Sequence, residues 1–286
     1  MSRAAFLLFG LAAVTSILMQ SAGPARAAEN SFIMASTTST VNSGLFKSIL
    51  PLFTARTGIA ARVLGVGTGQ AIRIAERGDA DVLFVHHRES ELAFVQGGFG
   101  VKRHDVMFND FVVVGPAADA ARVGSAGSAS RAYRKIAAAR SIFVSRGDDS
   151  GTHRKSLEIW RRAGVEVKNF SGRWYREAGA GMGATLNIAT SMEAYTLTDR
   201  ATWEAFRNKG SHRILYEGGP GLKNQYGVIL VNPARHRHIR VAAARAFIDW
   251  VLSDAGQAAI DGFRINGKQI FFANGRRAGG GEAGKQ

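Results

Sequence analysis

The chain has 286 residues, a formal net charge of +15 and no cysteine, which excludes disulfides, thiolate metal sites and a lipid-modified cysteine anchor. The positive balance suits an anionic partner, although much of it lies in stretches such as Arg161-Arg162 and Arg235 to Arg240 that read first as solvated faces. No nucleic-acid module and no aromatic-basic interleaving is present, so nucleic acid is not an expected partner.

The N-terminus reads as a signal peptide. Met1, Ser2 and Arg3 give a positive start, Phe6 to Met19 an apolar run, and Ala25-Arg26-Ala27 a small-x-small cleavage pattern, so residues 1–27 are expected to be removed. The apolar run is shorter than the roughly 20 residues of a spanning helix, and the mature protein is expected in the periplasm.

Beyond it, short apolar strands alternate with helices, an α/β pattern with largely parallel sheets flanked by helices. Strands are predicted at Phe32–Ala35, Arg62–Gly65, Asp81–Val85, Phe111–Val114, Ile142–Val144, Tyr195–Leu197 and Tyr226–Val231. Helices are predicted at Val41–Ala55, Gln70–Arg77, Thr152–Ala163, Met182–Thr190, Ala201–Lys209 and Val241–Leu252, with Gly58, Gly78 and Gly164 as stops. The β-branched runs at Phe111 to Pro116 and Tyr226 to Pro233 read as crossings between two lobes. They predict a first lobe of 28–113 plus 227–274, a second of 114–226, and a disordered tail over 275–286.

The chemistry lies in a recurrence of strand, Gly/Ser/Thr loop and helix. It occurs at Ser36 to Thr40, Gly67 to Gln70, Ser145 to Thr152 and Gly181 to Thr185. Each such loop offers unpaired backbone N–H groups, the positive end of a helix dipole and, in most, hydroxyl donors. A single loop of this kind is ordinary capping. Four together, one holding Arg146, suit an oxyanion, because a guanidinium gives bidentate donors and keeps its proton. Asp148, two residues on, is expected to orient that guanidinium from behind.

Seven motifs share their order and spacing with a known family: Ser36 to Gly44, Val66 to Ala71, Gly78 to Leu83, Asn109 to Pro116, Ser145 to His153, Gly181 to Leu186 and Tyr195 to Arg200. Over about Phe32 to Phe272 the chain resembles the tungstate-binding, TupA-type component of tungstate ABC importers. The resemblance implies a two-lobed type II periplasmic binding protein fold with the anion between the lobes. It implies a tungstate or molybdate ligand, an inner-membrane ABC permease and its ATPase as partners, a monomer, and no cofactor. It places Thr37, Thr38, Ser39 and Thr68 on the ligand from the first lobe, and Arg146, Ser150, Gly151 and Thr152 from the second, with Thr185 from the fourth loop.

Other readings are weaker. Ser150, His153 and Asp149 lie too close along one helix start to form a hydrolase triad, and no Gly-x-Ser-x-Gly elbow occurs. His86-His87 and His236-x-His238 lack the further ligands a zinc site needs. Among oxyanions, molybdate, vanadate, sulfate and phosphate stay open. A protonated phosphate needs an acceptor, and the third strand runs into His86 and His87 with no carboxylate before Glu89.

Overall fold

The computed structural model describes residues 30–275. The expected signal peptide, 1–27, and the tail from 276 lie outside the described residues. Gly275 itself is fastened: its N–H donates to Val106 O at 3.1 Å and to Gln257 Oε1 at 2.6 Å. Among the described residues no helix is long and apolar enough to cross a membrane.

The first lobe begins with β1 (Ser31–Thr37), α1 (Thr38–Asn42), α2 (Leu45–Thr57), β2 (Ala60–Val66), α3 (Thr68–Glu76), β3 (Val82–Val85) and α4 (Arg88–Gln96). A strand of 17 residues, β4 (Gly100–Pro116), leaves it. The second lobe holds α5 (Ala129–Ala138), β5 (Phe143–Ser145), α6 (Gly151–Arg162), β6 (Tyr175–Glu177), α7 (Met182–Ser191), β7 (Thr196–Asp199), α8 (Arg200–Ala205) and β8 (His212–Tyr216). The chain returns through β9 (Lys223–Val231), α9 (Val241–Val251) and α10 (Asp254–Gly262), then three short strands, β10 (Arg264–Ile265), β11 (Lys268–Gln269) and β12 (Phe272–Ala273).

Pairing is parallel where strand and helix alternate, at β1–β2, β1–β3 and β5–β6. The crossing strands run antiparallel, so the sheets are mixed rather than largely parallel: β9 lies between β3 and β4, opposite in sense to both. β4 changes partners along its length, pairing with β9 over Gly100–Asp110 and with β7 over Phe111–Val114. One apolar core gathers Phe32, Phe53, Phe84, Phe247 and Trp250, and another Tyr133, Phe143, Trp160, Trp174 and Tyr175.

Three differences from the expected elements have local causes. The helix expected over Val41–Ala55 is two helices, because Gly44 adopts φ 84°, a left-handed conformation that favours glycine, between α1 and α2. The helix expected over Ala201–Lys209 ends at Ala205, where Phe206 turns extended. The third difference is α4 with the first half of β4, which had no apolar signature because an ion pair joins them inside the protein. Glu91 is fully buried, and Arg103 Nε lies 2.5 Å from its carboxylate. Burial pushes the Glu91 carboxyl up to about 7 against the pull of Arg103.

Removing Arg103 leaves that carboxylate uncompensated. Arg103→Met is expected to cost about 3–5 kcal/mol in denaturant unfolding at neutral pH. The folded variant holds on Glu91 a proton that the unfolded chain releases above the ordinary carboxylate range, so its stability should fall further as pH rises, and the loss should shrink in acid. An equal loss at all pH values would assign the cost to packing alone.

Candidate functional site

The four loops converge where the lobes meet. Thr37 ends β1 and caps α1: its Oγ1 accepts from Thr40 N–H at 3.3 Å and lies 2.7 Å from Thr40 Oγ1 and 3.1 Å from Ser39 Oγ. Thr38 and Ser39 line an interlobe cleft of about 360 Å³ together with Gly181, Met182, Gly183 and Ala184 of the fourth loop. The second and third loops touch directly. Gly151 N–H, at the start of α6, donates to Thr68 Oγ1 at 3.1 Å, and Gly69 N–H donates to Asp149 O at 3.0 Å.

Arg146 follows β5 and is 5% exposed. Its Nη2 donates to Asp148 Oδ2 at 2.5 Å and its Nε to Ala180 O at 3.3 Å, contacts that fix the plane of the guanidinium. Gly147 makes this tight turn with φ 64°. Ser150 caps α6, its Oγ accepting from His153 N–H at 3.1 Å. Thr152 is 1% exposed, and its Oγ1 has no hydrogen-bond partner. A hydroxyl is rarely left unpaired inside a protein, and this one is available to a bound group.

Thr185 is arranged differently from a free donor. Its hydroxyl is directed to the carbonyls of Ala180 and Gly181, 3.3 and 3.1 Å away in its own loop, so its one proton is committed there.

The fold also gathers residues that the loops did not announce. His86, just after β3, is buried with Nε2 3.4 Å from Ser39 Oγ and Nδ1 2.9 Å from Asn224 Oδ1. Asn224 Nδ2 donates to Asn109 Oδ1 at 2.7 Å, and Tyr226 lies against the His86 ring at 4.8 Å. Asn109 Nδ2 is buried without a partner. Burial lowers the His86 pKa to about 4, with Arg146 acting in the same direction, so the ring is neutral at neutral pH. Asp199 is fully buried beside Thr202, and burial raises its pKa. The Asn109-Asp110 and Thr198-Asp199 pairs lie within motifs quoted above; nothing local marks Asn224.

The alternative chemistries do not assemble. Ser150 Oγ accepts from the backbone N–H of His153, the His153 Nδ1 faces Ser145 Oγ at 2.9 Å instead, and Asp149 faces Arg73 and Arg154. His236 and His238 each place Nε2 2.9 Å from a backbone carbonyl, Glu76 O and Gly78 O. Among the described residues no group of three or more His, Asp or Glu could hold a metal ion.

The pattern of the PBP superfamily domain matches residues 20–255. The chain is 44% identical to the tungstate-binding protein TupA of Peptoclostridium acidaminophilum, an alignment covering 86% of this chain and 85% of that one. The fold is similar to that of the tungstate ABC transporter structure from Geobacter sulfurreducens, with a TM-score of 0.76, 46% identity, and 82% and 99% of the two chains covered. It is similar also to the tungstate-binding protein TupA from Desulfovibrio alaskensis, with a TM-score of 0.75, 41% identity, and 86% and 99% covered. This chain belongs to the PBP superfamily and, within it, to the TupA family of solute-binding proteins of ABC transporters.

Proposed function

We propose that this protein captures tungstate between its lobes in the periplasm and delivers it, as a monomer, to an ABC permease and its ATPase. The observation that carries the reading is a pair of buried donors beside the lobe junction: Arg146, held by Asp148, and the unpartnered hydroxyl of Thr152. Thr37, Thr38, Ser39 and Thr68 complete the set from the first lobe, with Ser150 and Gly151 from the second. Lobes of 28–113 plus 227–274 and of 114–226 would open about the place where β4 changes partners.

The chemistry favours a fully ionised anion. The loops supply hydroxyl and backbone N–H donors around one permanent positive charge, and the carboxylate nearest Arg146, that of Asp148, gives its Oδ2 to the guanidinium. Hydrogen phosphate would bring a proton into a set of donors and lose affinity. Calorimetric titration of ligand-stripped protein with tungstate, molybdate, sulfate and phosphate tests this. Tungstate and molybdate are expected to exceed phosphate by at least about 4 kcal/mol, roughly a thousandfold. Displacement of tungstate by equimolar phosphate would overturn the assignment.

A further inference from the structure

Ser39 has one hydroxyl proton, and His86 already uses it. The orientation of Asn224 decides this. Its Nδ2 donates to Asn109 Oδ1 at 2.7 Å, so its Oδ1 is the acceptor for His86 Nδ1–H at 2.9 Å. The other ring nitrogen, Nε2, is then a bare lone pair, and the group beside it is Ser39 Oγ at 3.4 Å. On its far side Ser39 Oγ meets Thr37 Oγ1 at 3.1 Å, Thr37 meets Thr40 at 2.7 Å, and Thr40 meets the Tyr226 hydroxyl. This row of hydroxyls runs from Tyr226 to His86, and Ser39 is its member that meets the ring.

An oxyanion at this loop asks Ser39 for the same proton. If Ser39 turns to the anion, His86 Nε2 is left buried and unpaired, which is costly for a group in so dry a place. Resting on the oxyanion reading above, we propose that anion capture is coupled to proton uptake at His86. The Ser39 hydroxyl hydrogen-bonds the anion, a proton from solvent adds to the Nε2 lone pair, and the resulting imidazolium adds a charged donor to the site.

The charges around the ring change sign of influence when the anion arrives. In the free protein burial opposes the imidazolium most strongly, and the Arg146 guanidinium from the β5–α6 loop and neighbouring His87 oppose it further. Tyr226, packed on the ring from β9, stays neutral because burial raises its phenol well above its usual range. Gly151, at the start of α6, lies close to the ring and carries no charge. A dianion seated beside Arg146 offsets that repulsion and attracts the imidazolium. By linkage, proton and anion then strengthen each other's binding by one common factor.

Titration with micromolar sodium tungstate in two buffers of different ionisation enthalpy counts the protons. At about pH 5.5 the unmodified protein is expected to take up a substantial fraction of a proton per anion, falling to none by about pH 8. Its affinity should rise about tenfold as pH falls from about 8 to about 5.5. His86→Gln is expected to take up none and to give a flat profile. Equal uptake in both proteins, or no uptake by the unmodified one, overturns the proposal. Because the variant removes a buried ring, 15N-histidine NMR of the unmodified protein provides a second reading: Nε2 of His86 should gain a proton only with tungstate present, and a spectrum that does not respond to tungstate overturns the coupling. Absence of tungstate binding at every pH would instead overturn the assignment of the site.

Discussion

Arg146→Ala is expected to lower tungstate affinity by about 2–5 kcal/mol in calorimetry, because it removes a charged two-pronged donor from a desolvated dianion. The side chain is 4% exposed, so water has little room to replace the lost charge. Arg146→Lys should recover part of the loss, since it keeps the charge but gives up the planar fork that Asp148 and the Ala180 carbonyl hold in place. Thr152→Val provides the neutral comparison. It deletes a hydroxyl that has no partner in the free protein, so it should weaken binding by about 1 kcal/mol while leaving the ligand-free protein as stable as before, or slightly more so. If the Arg146 and Thr152 variants lose equal affinity, the charge is not where the anion sits.

The second large effect is expected from a residue that reaches no ligand with a side chain. Gly69 N–H bonds across the lobes to Asp149 O, and a Cβ placed on Gly69 would lie 1.6 Å from Asp149 Oδ2. That carboxylate is tied to Arg73 of the first lobe at 3.2 Å and to Arg154 of its own lobe at 2.5 Å. Gly69→Ala should therefore force Asp149 aside and prevent full closure, weakening tungstate binding about tenfold, chiefly through faster release. Asp149→Ala alone breaks half-exposed ion pairs and should cost under about 1 kcal/mol. The decisive measurement is the double variant. With the carboxylate gone the added methyl has room, so Gly69→Ala should then cost almost nothing more, and stopped-flow release rates should match those of Asp149→Ala. Additive losses would mean that the methyl acts on α3 itself rather than on closure.

Much of the loop cluster where the lobes meet was legible because it is built from local signals. A strand followed by Gly, Ser and Thr and then a helix announces its own caps, and Thr37, Ser150 and Arg146 all stand where those signals put them. Thr185 shows the limit of that reasoning. The same hydroxyl that suits an anion also suits a carbonyl four residues back, and the backbone of its own loop takes it. The relay behind Ser39 was illegible for a different reason: His86 and Asn224 are 138 residues apart and meet only after the second lobe has been traversed. Charge also disguised structure. Arg103 and Glu91 break the apolar patterns of β4 and α4, and only their pairing indoors explains how two charged side chains can sit buried between these elements.

The place of β9 in the first sheet has a consequence for the order in which the molecule is made. β9 fills the slot between β3 and β4, yet it is synthesised only after the whole second lobe. Until residues 223–231 emerge, β3 and β4 each present an unpaired edge to the other across a gap one strand wide. Such edges invite pairing with other chains. The first lobe thus cannot close its sheet from its own early residues; the second lobe, contiguous in sequence, can pack its core while the first still waits. Pairing of this late strand between β3 and β4 is also what brings Asn224 and Tyr226 to His86, so the sheet and the site share that step.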